Sequence, residues 1–505
     1  MRQRIRLHCI IVCLFLVLDQ GNSYASADKD GDKCIKLKTL DYELYGTKTL
    51  YDDARRYLER KDEIPNSFDD DSLEEEHNDL LQKSCKPVVF YFFGRHSARF
   101  PDGDDAVQYN KHMAEIQNML RQHYNETNCP EKYAEFLNWK PKLQFDFDNL
   151  ITHLGGIEQR EIARRFKKLY PEFFNTNKTD IKIGVTTEIR TSQTAVEFLK
   201  EVDGLKLEGC EESLLQTHDV DDPNHDPNKL RSHDCYKKMQ DNYKRPYLEF
   251  HDDCKNRMKG KVTKQKYPLV DRVRDPKVIQ EIIESISKKI GFESAEKSPI
   301  NVDVLNSIYD NCRFENAFLN DSVWCKLFSK KHLKAMEYIE DVNTYYKGGY
   351  GVDARVKQSC PLVKDLVEEF IVATKETSHM DQTRRKSIFY FSHATPMKKL
   401  LATFGMFKDD ESFSESAIAE FERSLKAPKR RNWRISLISP FSGNIAFILY
   451  RCQKPGKEDV KFKILSAVTE HPVKLGGCGD TDCSSEKFFK TYEPLRTCDL
   501  DKICG

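Results

Sequence analysis

Short apolar runs, rich in aromatic and β-branched residues, recur along the chain and predict buried strands. The clearest is Val88–Phe93, which is bounded by Pro87 and Gly94. A run of this length that is apolar throughout is typical of a central strand in a parallel or mixed sheet. The same reasoning predicts further strands beginning at Ile181 and over residues 387–391, 444–450 and 461–468.

Between these strands, apolar residues recur at helical spacing and predict helices that bury one face. One face consists of Ile279, Ile282, Ile283, Ile286 and Ile290, and another of Leu362, Val363, Leu366, Val367, Phe370 and Ile371. Spacings of three and four residues place each set on one side of a helix. Because strands are predicted before and after this region, we expect a mainly helical insertion into a discontinuous α/β domain.

The predicted fold class is α/β, with a mixed sheet flanked by helices and an inserted, mainly helical domain. The expected divisions are a signal peptide at 1–27, the α/β domain at 28–202 and 376–475, the helical insertion at 203–375, and a disulfide-rich C-terminal tail at 476–505. Acidic runs at 69–71 and 74–76 predict a polar loop before the first strand.

The segment that follows the first strand carries the most distinctive chemistry. In Arg95-His96-Ser97-Ala98-Arg99, an imidazole lies between two guanidinium groups at the end of a buried strand, and ligands of open α/β sheets bind beyond such strand ends. Guanidinium groups bind phosphate oxygens in pairs, and a neutral imidazole is able to attack phosphorus. On spacing alone a solvated loop remains an alternative, because such strings also occur at surfaces.

Two other predicted strands lead to similar side chains. The run 387–391 is followed by Ser392-His393, and the strand that begins at Ile181 leads into a helix start that contains Arg190. All three strands therefore deliver cationic or imidazole groups.

With these residues in view, the chain resembles the histidine acid phosphatase superfamily, and most closely its multiple inositol polyphosphate phosphatase branch. The resemblance extends through most of the mature chain and is much more specific than the pentad Arg95–Arg99 alone. It includes Leu154-Gly155 with Phe166–Pro171, Arg190 with Ala195–Leu199, the block from Cys312 to Trp324-Cys325, Tyr346–Gly351 and Gly405–Asp409.

The resemblance implies an acid phosphatase that acts on inositol polyphosphates, with 2,3-bisphosphoglycerate as a further substrate of the branch. It implies that His96 is the nucleophile of a phosphohistidine mechanism and that His393 is the second catalytic histidine. Arg95, Arg99, Arg190 and His393 are expected to bind the transferred phosphate. The resemblance implies no metal and no organic cofactor, and the expected partner is a small phosphoester.

Two departures from the family pattern lie within the motifs. Ser97 stands where the family has glycine, a residue that usually signals a positive φ or a close backbone approach. Thr395 stands where the branch has the glutamate that donates a proton to the leaving group, as His393-Ala394-Thr395 replaces His-Ala-Glu. A hydroxyl cannot do this work at useful pH. A structural prediction for Thr395 is a helix N-cap followed by Pro396 at the first helical position.

These departures leave two functional predictions open. One is a phosphatase, since the nucleophile and the phosphate-binding residues are retained and a good leaving group needs little protonation. The other is a catalytically impaired family member that binds phosphorylated ligands. The sequence alone does not decide between them.

The N-terminus predicts secretion or delivery to the lumen of the secretory pathway. Three arginines before residue 7, an apolar core at Ile10–Leu18 and the site Ala25-Ser26-Ala27 are typical of a signal peptide. The apolar core is too short for an anchor, and no later run approaches the length of a membrane span. Sequons at Asn125, Asn177 and Asn320 predict glycosylation.

Cysteine usage agrees with an oxidising compartment. Of 16 cysteines, Cys9 and Cys13 leave with the signal, and an even number remains. The full connectivity cannot be deduced from the sequence. Two pairs, Cys478 with Cys483 and Cys498 with Cys504, are close enough for local bridges.

The sequence contains 81 basic and 81 acidic residues. With no net positive charge, we do not expect the protein to bind nucleic acid. Affinity for a polyanion therefore has to come from local clustering in a cleft. Lys398-Lys399 and Lys429-Arg430-Arg431 are candidates for a basic rim, with solvated surface faces as the alternative.

A metallophosphatase is a weaker alternative. The segment His218–Asp226 and the nearby His233-Asp234 contain residue types that hydrolytic metals use. Their spacing matches no ligand pattern, and the Pro, Asn and Asp content predicts turns. We therefore expect no metal site there.

Overall fold

The computed structural model of the chain describes residues 42–60, 65–124, 130–210, 226–250, 267–292, 298–351, 356–376, 385–497 and 499–504. Several predicted features lie outside these residues: the signal peptide at 1–27, the sequon at Asn125, the segment 218–225 and the bridge that involves Cys498.

A seven-stranded mixed sheet forms the centre of the described fold. Its strands are β1 (Cys85–Arg95), β2 (Thr179–Gly184), β3 (Arg385–Ser392), β4 (Asn444–Cys452), β5 (Lys461–Val468), β6 (His471–Pro472) and β7 (Asp482–Ser484). The order is β2-β3-β1-β4-β5-β6, and β7 pairs with β5. Strands β2, β3 and β1 are parallel to one another, whereas β4 joins β1 in antiparallel orientation. The predicted mixed sheet is confirmed.

Strand β1 is buried on both faces because successive side chains of a strand point to opposite sides. Tyr91 and Phe93 pack into the larger core, which also contains the helices that follow β2. Phe90 and Phe92 pack into a second core, where the ring centroids of Phe92 and Phe198 are 4.6 Å apart. Burial on both faces explains why this strand is apolar without alternation.

Helices cover the sheet and fill the region between β2 and β3. In chain order they are α1 (Tyr51–Glu59), α2 (Leu73–Gln82), α3 (Gly103–Tyr124), α4 (Pro130–Leu137), α5 (His153–Leu169), α6 (Ile189–Leu199), α7 (Pro227–Ser232), α8 (Asp234–Tyr243), α9 (Pro268–Val273), α10 (Pro276–Lys289), α11 (Val302–Leu319), α12 (Lys330–Gly348), α13 (Cys360–Glu376), α14 (Ala394–Thr403), α15 (Glu415–Ser424), α16 (Ile435–Ile438), α17 (Ser485–Tyr492) and α18 (Leu500–Cys504). Short 3₁₀ turns occur at Gly46–Lys48, Phe145–Phe147, Pro171–Phe174, Pro246–Glu249, Val323–Leu327 and Glu493–Thr497.

The two amphipathic segments predicted from periodicity are helices α10 and α13. Ile282 and Ile286 of α10 are fully buried, as are Val367 and Phe370 of α13. In the described part of the chain between β2 and β3, no strand joins the sheet. The proposed domain boundaries remain a prediction.

The loop predicted from the acidic runs is wrong in its second half, because residues 74–76 form the first turn of α2. Ser72 accepts a hydrogen bond from the Glu75 amide, and the Glu75 carboxylate accepts one from the Ser72 amide. This capping box satisfies two helix-terminal donors, and negative charge near a helix N-terminus is favourable. The acidic run therefore starts a helix.

Disulfides with both cysteines in the described residues join Cys85 to Cys452, Cys210 to Cys235, Cys312 to Cys325 and Cys478 to Cys483. The first ties β1 to β4 at a point where the two residues are register partners. The last is the predicted local bridge.

The described residues include no helix with both the length and the apolar character that a bilayer crossing requires.

Candidate active site

The parallel pairing of β1 and β3 brings the two predicted histidines together. Arg95 is the register partner of Ser392, so that His96 and His393 leave the same edge of the sheet side by side. The His96 amide donates a hydrogen bond to the Ser392 carbonyl over 2.9 Å. The two imidazole centroids are 5.6 Å apart. The strand ends thus place both rings around one small volume.

A backbone carbonyl fixes the tautomer of His96. Its Nδ1 lies 2.9 Å from the Ser97 carbonyl oxygen, and since a carbonyl only accepts, Nδ1 carries the proton. Nε2 is then left with a lone pair. Burial, followed by the fields of Arg95 and Arg190, lowers the pKa of His96 well below its usual value. The ring therefore stays neutral into the acid range, as a nucleophile requires.

Three arginines converge on this ring. Arg95 is buried and donates from Nη1 to the carbonyls of Thr47 (2.7 Å) and Ser439 (2.8 Å). Arg99 donates to the Phe100 carbonyl, and Arg190 donates to Asn149. In each of the three, the buried Nε has no hydrogen-bond partner among the described residues. Backbone carbonyls thus orient Arg95 and Arg99, the side chains of Asn149 and Glu188 orient Arg190, and donors are left unused.

The arginines repel one another because they are crowded and poorly solvated. Burial and the field of Arg99 lower the pKa of Arg95 to about 9. Burial and the field of Arg190 lower that of Arg99 to about 10. Unused buried donors and crowded positive charge are costly inside a protein. A bound phosphate would supply both the acceptors and the negative charge.

His393 is held by partners that the sequence did not reveal. Its Nε2 lies 3.1 Å from the Thr186 hydroxyl and 3.9 Å from the carboxylate of Glu249. Burial opposes ionisation of Glu249, but hydrogen bonds from His393 and Thr187 outweigh it and hold its pKa at about 2. Glu249 is thus an ionised anchor and is unable to act as an acid at ordinary pH. It lies in a 3₁₀ turn far from the motifs, and no sequence signal marked it.

Ser97 fits the position of the family glycine without backbone strain. Its φ is not positive, which removes one of the two reasons for a glycine. Its amide donates to the Thr194 hydroxyl over 3.0 Å, and its side chain is fully buried. The close approach is made instead by Gly155 of α5, where an added Cβ would lie 2.6 Å from the Ala98 carbonyl oxygen and 3.0 Å from the Ser97 Cβ.

Gly155→Ala is therefore expected to destabilise the fold and displace the pentad. Overpacking of a close contact costs typically about 1–3 kcal/mol, and the contact atoms here are mostly backbone. Thermal unfolding measures the loss. Gly479→Ala is the matched control, because an added Cβ there meets nothing within 4 Å. Equal melting temperatures for both variants would contradict the described packing of α5 on the pentad.

The prediction that Thr395 is a helix N-cap is wrong. Helix α14 begins at Ala394 and its N-cap is His393, two residues earlier than expected. Pro396 therefore occupies the third helical position, where its missing N–H is one of the donors that a helix start leaves unpaired. Thr395 lies in the first turn, half-buried, and its hydroxyl has no hydrogen bond to a described residue. The position of the family proton donor thus carries no acid.

Two lysines add positive charge beside the arginines. Burial and the field of Arg313 lower the pKa of Lys48 to about 7. Burial lowers that of Lys398 to about 8, with Glu340 opposing and Arg95 assisting. Both side chains are nonetheless partly exposed to solvent.

The predicted basic rims are only partly present. Lys399 is buried and donates to Gln358, so the pair Lys398-Lys399 does not form one surface. Arg431 is also buried and forms ion pairs with Glu337 and Asp341. The run Lys429-Arg430-Arg431 therefore contributes to the core at its third residue.

A cluster of carboxylates, Asp69, Asp71 and Glu76, lies at the start of α2, with oxygen atoms within 4.8 Å of one another. Among the described residues, these three are the His, Cys, Asp or Glu side chains that lie close enough together to share a cation. None of its members contacts the arginines or histidines of the site.

Comparison with known proteins agrees with this geometry. The sequence profile of the histidine phosphatase superfamily (branch 2) matches residues 93–465. The chain is 23% identical over 464 residues to multiple inositol polyphosphate phosphatase 1 of Gallus gallus, covering 91% of this chain and 92% of the relative. It is 26% identical over 444 residues to the protein of that name from Drosophila melanogaster, covering 84% and 82%.

Among solved structures, the chain is similar to the Bifidobacterium longum multiple inositol polyphosphate phosphatase in complex with inositol hexasulfate. The TM-score is 0.52 at 11% identity, and the match covers 87% of this chain and 96% of that one. This likeness supports the fold alone. Since the family profile spans more than half of the sequence and includes both His96 and His393, the chain belongs to branch 2 of the histidine phosphatase superfamily.

Proposed function

We propose that the protein is a phosphomonoesterase that hydrolyses inositol polyphosphates through a phosphohistidine intermediate. The observation that carries the proposal is the combination of a neutral His96, with Nε2 unprotonated, and three arginines whose buried Nε atoms have no hydrogen-bond partner among the described residues. These residues supply a nucleophile and a phosphate clamp.

In the first step the phosphate binds to Arg95, Arg99, Arg190 and His393. His96 Nε2 then attacks phosphorus, the P–Nε2 bond forms and the bond to the leaving oxygen breaks. The arginines stabilise the charge on the phosphoryl oxygens, which do not take part in the displacement. Nδ1 donates to the Ser97 carbonyl throughout, which stabilises the positive charge that the ring acquires.

In the second step, water attacks the phosphohistidine. The P–Nε2 bond breaks, His96 returns to its neutral form, and inorganic phosphate is released. The amide of Ala394 or Thr395, at the N-terminus of α14, is well placed to bind a phosphoryl oxygen, because such termini bind anions and α14 begins directly after His393.

The positive charge of Lys48 and Lys398 supports a substrate that carries more than one phosphate. Neither lysine forms an ion pair with a described carboxylate, although Glu340 lies close enough to affect both. The names of the relatives, and the inositol hexasulfate bound in the B. longum structure, favour inositol polyphosphates. 2,3-Bisphosphoglycerate is a smaller candidate with the same chemistry.

A second candidate function is binding of phosphorylated ligands without efficient turnover. It is favoured by Thr395, which leaves the position of the proton donor without an acid. Ser97 no longer favours it, because its backbone is unstrained and its side chain is packed.

Inorganic phosphate release separates the two candidates. Purified protein is incubated with inositol hexakisphosphate, 2,3-bisphosphoglycerate and an aryl phosphate at acid and neutral pH. Phosphate release from the inositol compound supports the phosphatase. Calorimetric binding of that compound with no release from any of the three esters would support the binder and refute the proposal.

Arg190→Ala is expected to weaken binding of phosphate or vanadate under either function. Loss of a charge-assisted hydrogen bond costs about 1.5–3 kcal/mol. Calorimetry with inorganic phosphate measures the change. Arg164→Ala, on the exposed face of α5, is the control, because its ion pairs with Glu161 and Glu201 lie at the surface. Unchanged affinity in Arg190→Ala would remove that residue from the clamp.

We place the protein outside the cell or in the lumen of the secretory pathway. The arginine-led apolar N-terminus supports this compartment, as do the disulfides between described cysteines. The proposed glycosylation sites Asn177 and Asn320 are both exposed. Treatment of the secreted protein with an N-glycosidase tests them by a shift in mass.

A further inference from the structure

Lys398 of helix α14 lies one turn after Thr395. Residues three apart share a helix face, and helical side chains lean toward the N-terminus of their helix. Lys398 therefore shares a helix face with Thr395 near the start of α14, which begins directly after His393. This places a flexible cation next to the position that lacks the family carboxyl.

The ammonium group of Lys398 is not committed elsewhere in the described fold. It forms no hydrogen bond or ion pair with a described residue, and its side chain is partly exposed. It passes Gly348 at the end of α12, where an added Cβ would lie 3.7 Å from Lys398 Cε and 4.0 Å from Nζ. The ammonium thus lies close to the C-terminal end of α12.

Other candidates for the missing acid are engaged. Glu249 is ionised, with its pKa held at about 2. Glu188 forms an ion pair with Arg190 at 2.7 Å. The Lys48 ammonium lies 5.2 Å above the Phe314 ring and donates to the Thr47 hydroxyl over 3.3 Å.

We propose that Lys398 is the general acid of this site and takes the place of the absent glutamate. This inference rests on the proposed function. As the P–Nε2 bond to His96 forms, the bond from phosphorus to the alkyl oxygen breaks, and that oxygen takes a proton from Lys398 Nζ. The step leaves an alcohol, phosphorylated His96 and the neutral amine of Lys398. In the second step, this amine takes a proton from the attacking water as the P–Nε2 bond breaks. Phosphate is released, and Lys398 returns to its ammonium form.

A lysine acid sets a different pH range from a carboxylic acid. Burial lowers the pKa of Lys398 to about 8, while Glu340 on α12 raises it and Arg95 at the end of β1 lowers it. The acid is thus protonated through neutral pH and lost as the pH rises through about 8. Hydrolysis of alkyl phosphates is then sustained at neutral pH and declines above it.

Two substitutions separate proton donation from charge. Lys398→Met removes both the proton donor and the positive charge. Lys398→Arg keeps the charge, but its guanidinium group is a far weaker acid, since arginine does not lose its proton in proteins. Both variants are expected to reduce kcat for glycerol 2-phosphate by about 10²-fold or more. The loss of kcat for an aryl phosphate should be much smaller than the loss for glycerol 2-phosphate, because a phenolate departs without a proton. The decline above pH 8 should disappear from the residual alkyl rate.

Lys364→Met, at an exposed position of α13, is the control and should leave both rates unchanged. Full alkyl activity in Lys398→Arg would overturn the inference and reduce Lys398 to a charge that binds substrate. Equal losses on both esters would also overturn it, and thermal unfolding would show whether the fold was damaged. Wild-type protein that hydrolyses an aryl phosphate and inositol hexakisphosphate but not glycerol 2-phosphate would refute the lysine acid alone. Failure on both esters would refute the proposed function as well.

Discussion

His96→Ala is expected to abolish phosphate release from every ester. The reason is that His96 directly follows β1 and carries a lone pair on Nε2, because Nδ1 is protonated against the Ser97 carbonyl. Removal of a covalent nucleophile from an enzyme costs roughly 10⁴–10⁶ in kcat. Steady-state release of phosphate from an aryl ester measures the loss.

Binding should survive the same substitution. The arginines are oriented by backbone carbonyls and by Asn149 and not by His96, so calorimetry should still detect inorganic phosphate. His112→Ala is the control, because His112 contacts Ser307 on the helical side of the molecule. Turnover that persists in His96→Ala would assign the nucleophile to another residue.

Thr395→Glu is expected to raise hydrolysis of alkyl phosphates at acid pH, by less than the roughly 10²–10⁴ that a positioned acid contributes at a site with no other proton donor. The new carboxyl occupies the first turn of α14 beside His393, and a carboxylic acid is a stronger proton donor than an ammonium. The gain requires the protonated carboxyl, so it is lost as the pH rises through the pKa of the new group. The acid limb of the pH profile is set by His96, whose pKa lies well below its usual value. The neutral form of His96 is therefore present at the acid pH at which the new carboxyl is protonated.

Thr395→Gln has nearly the same shape and no acid, and it should show no gain. Aryl phosphates should respond little to either substitution. If glutamate and glutamine behave alike on alkyl esters at acid pH, residue 395 does not face the leaving group.

The sheet and the position of the histidines were predictable because both depend on local pattern. The run Val88–Phe93 is apolar throughout since β1 is buried on both faces. A residue that directly follows such a strand is fixed at the edge of the sheet. The parallel pairing of β1 with β3 then places His96 beside His393. The helices α10 and α13 were predictable for the same reason, as their buried faces are continuous in sequence.

Helix starts were harder to predict because capping residues compete over short distances. Thr395 has the composition of an N-cap, but the strand β3 ends at Ser392 and His393 becomes the cap. In α2 the competition had the opposite outcome, since Ser72 and Glu75 cap each other and turn a predicted loop into a helix.

The surroundings of the histidines were not predictable because they come from distant segments. Glu249 reaches His393 from a 3₁₀ turn between β2 and β3, and Thr47 reaches Arg95 from the N-terminal region. Gly155 explains Ser97 only once α5 is seen against the pentad. Such contacts depend on tertiary packing and leave no periodic signal.

The most direct test of the account is to trap the intermediate. Protein is mixed with inositol hexakisphosphate and quenched rapidly into alkaline denaturant, and the peptides are analysed by mass spectrometry. The account predicts a phosphate on the peptide that contains His96, formed within one turnover and absent in His96→Ala. Release of inorganic phosphate with no phosphorylated His96 peptide, or with the phosphate on His393, would contradict it.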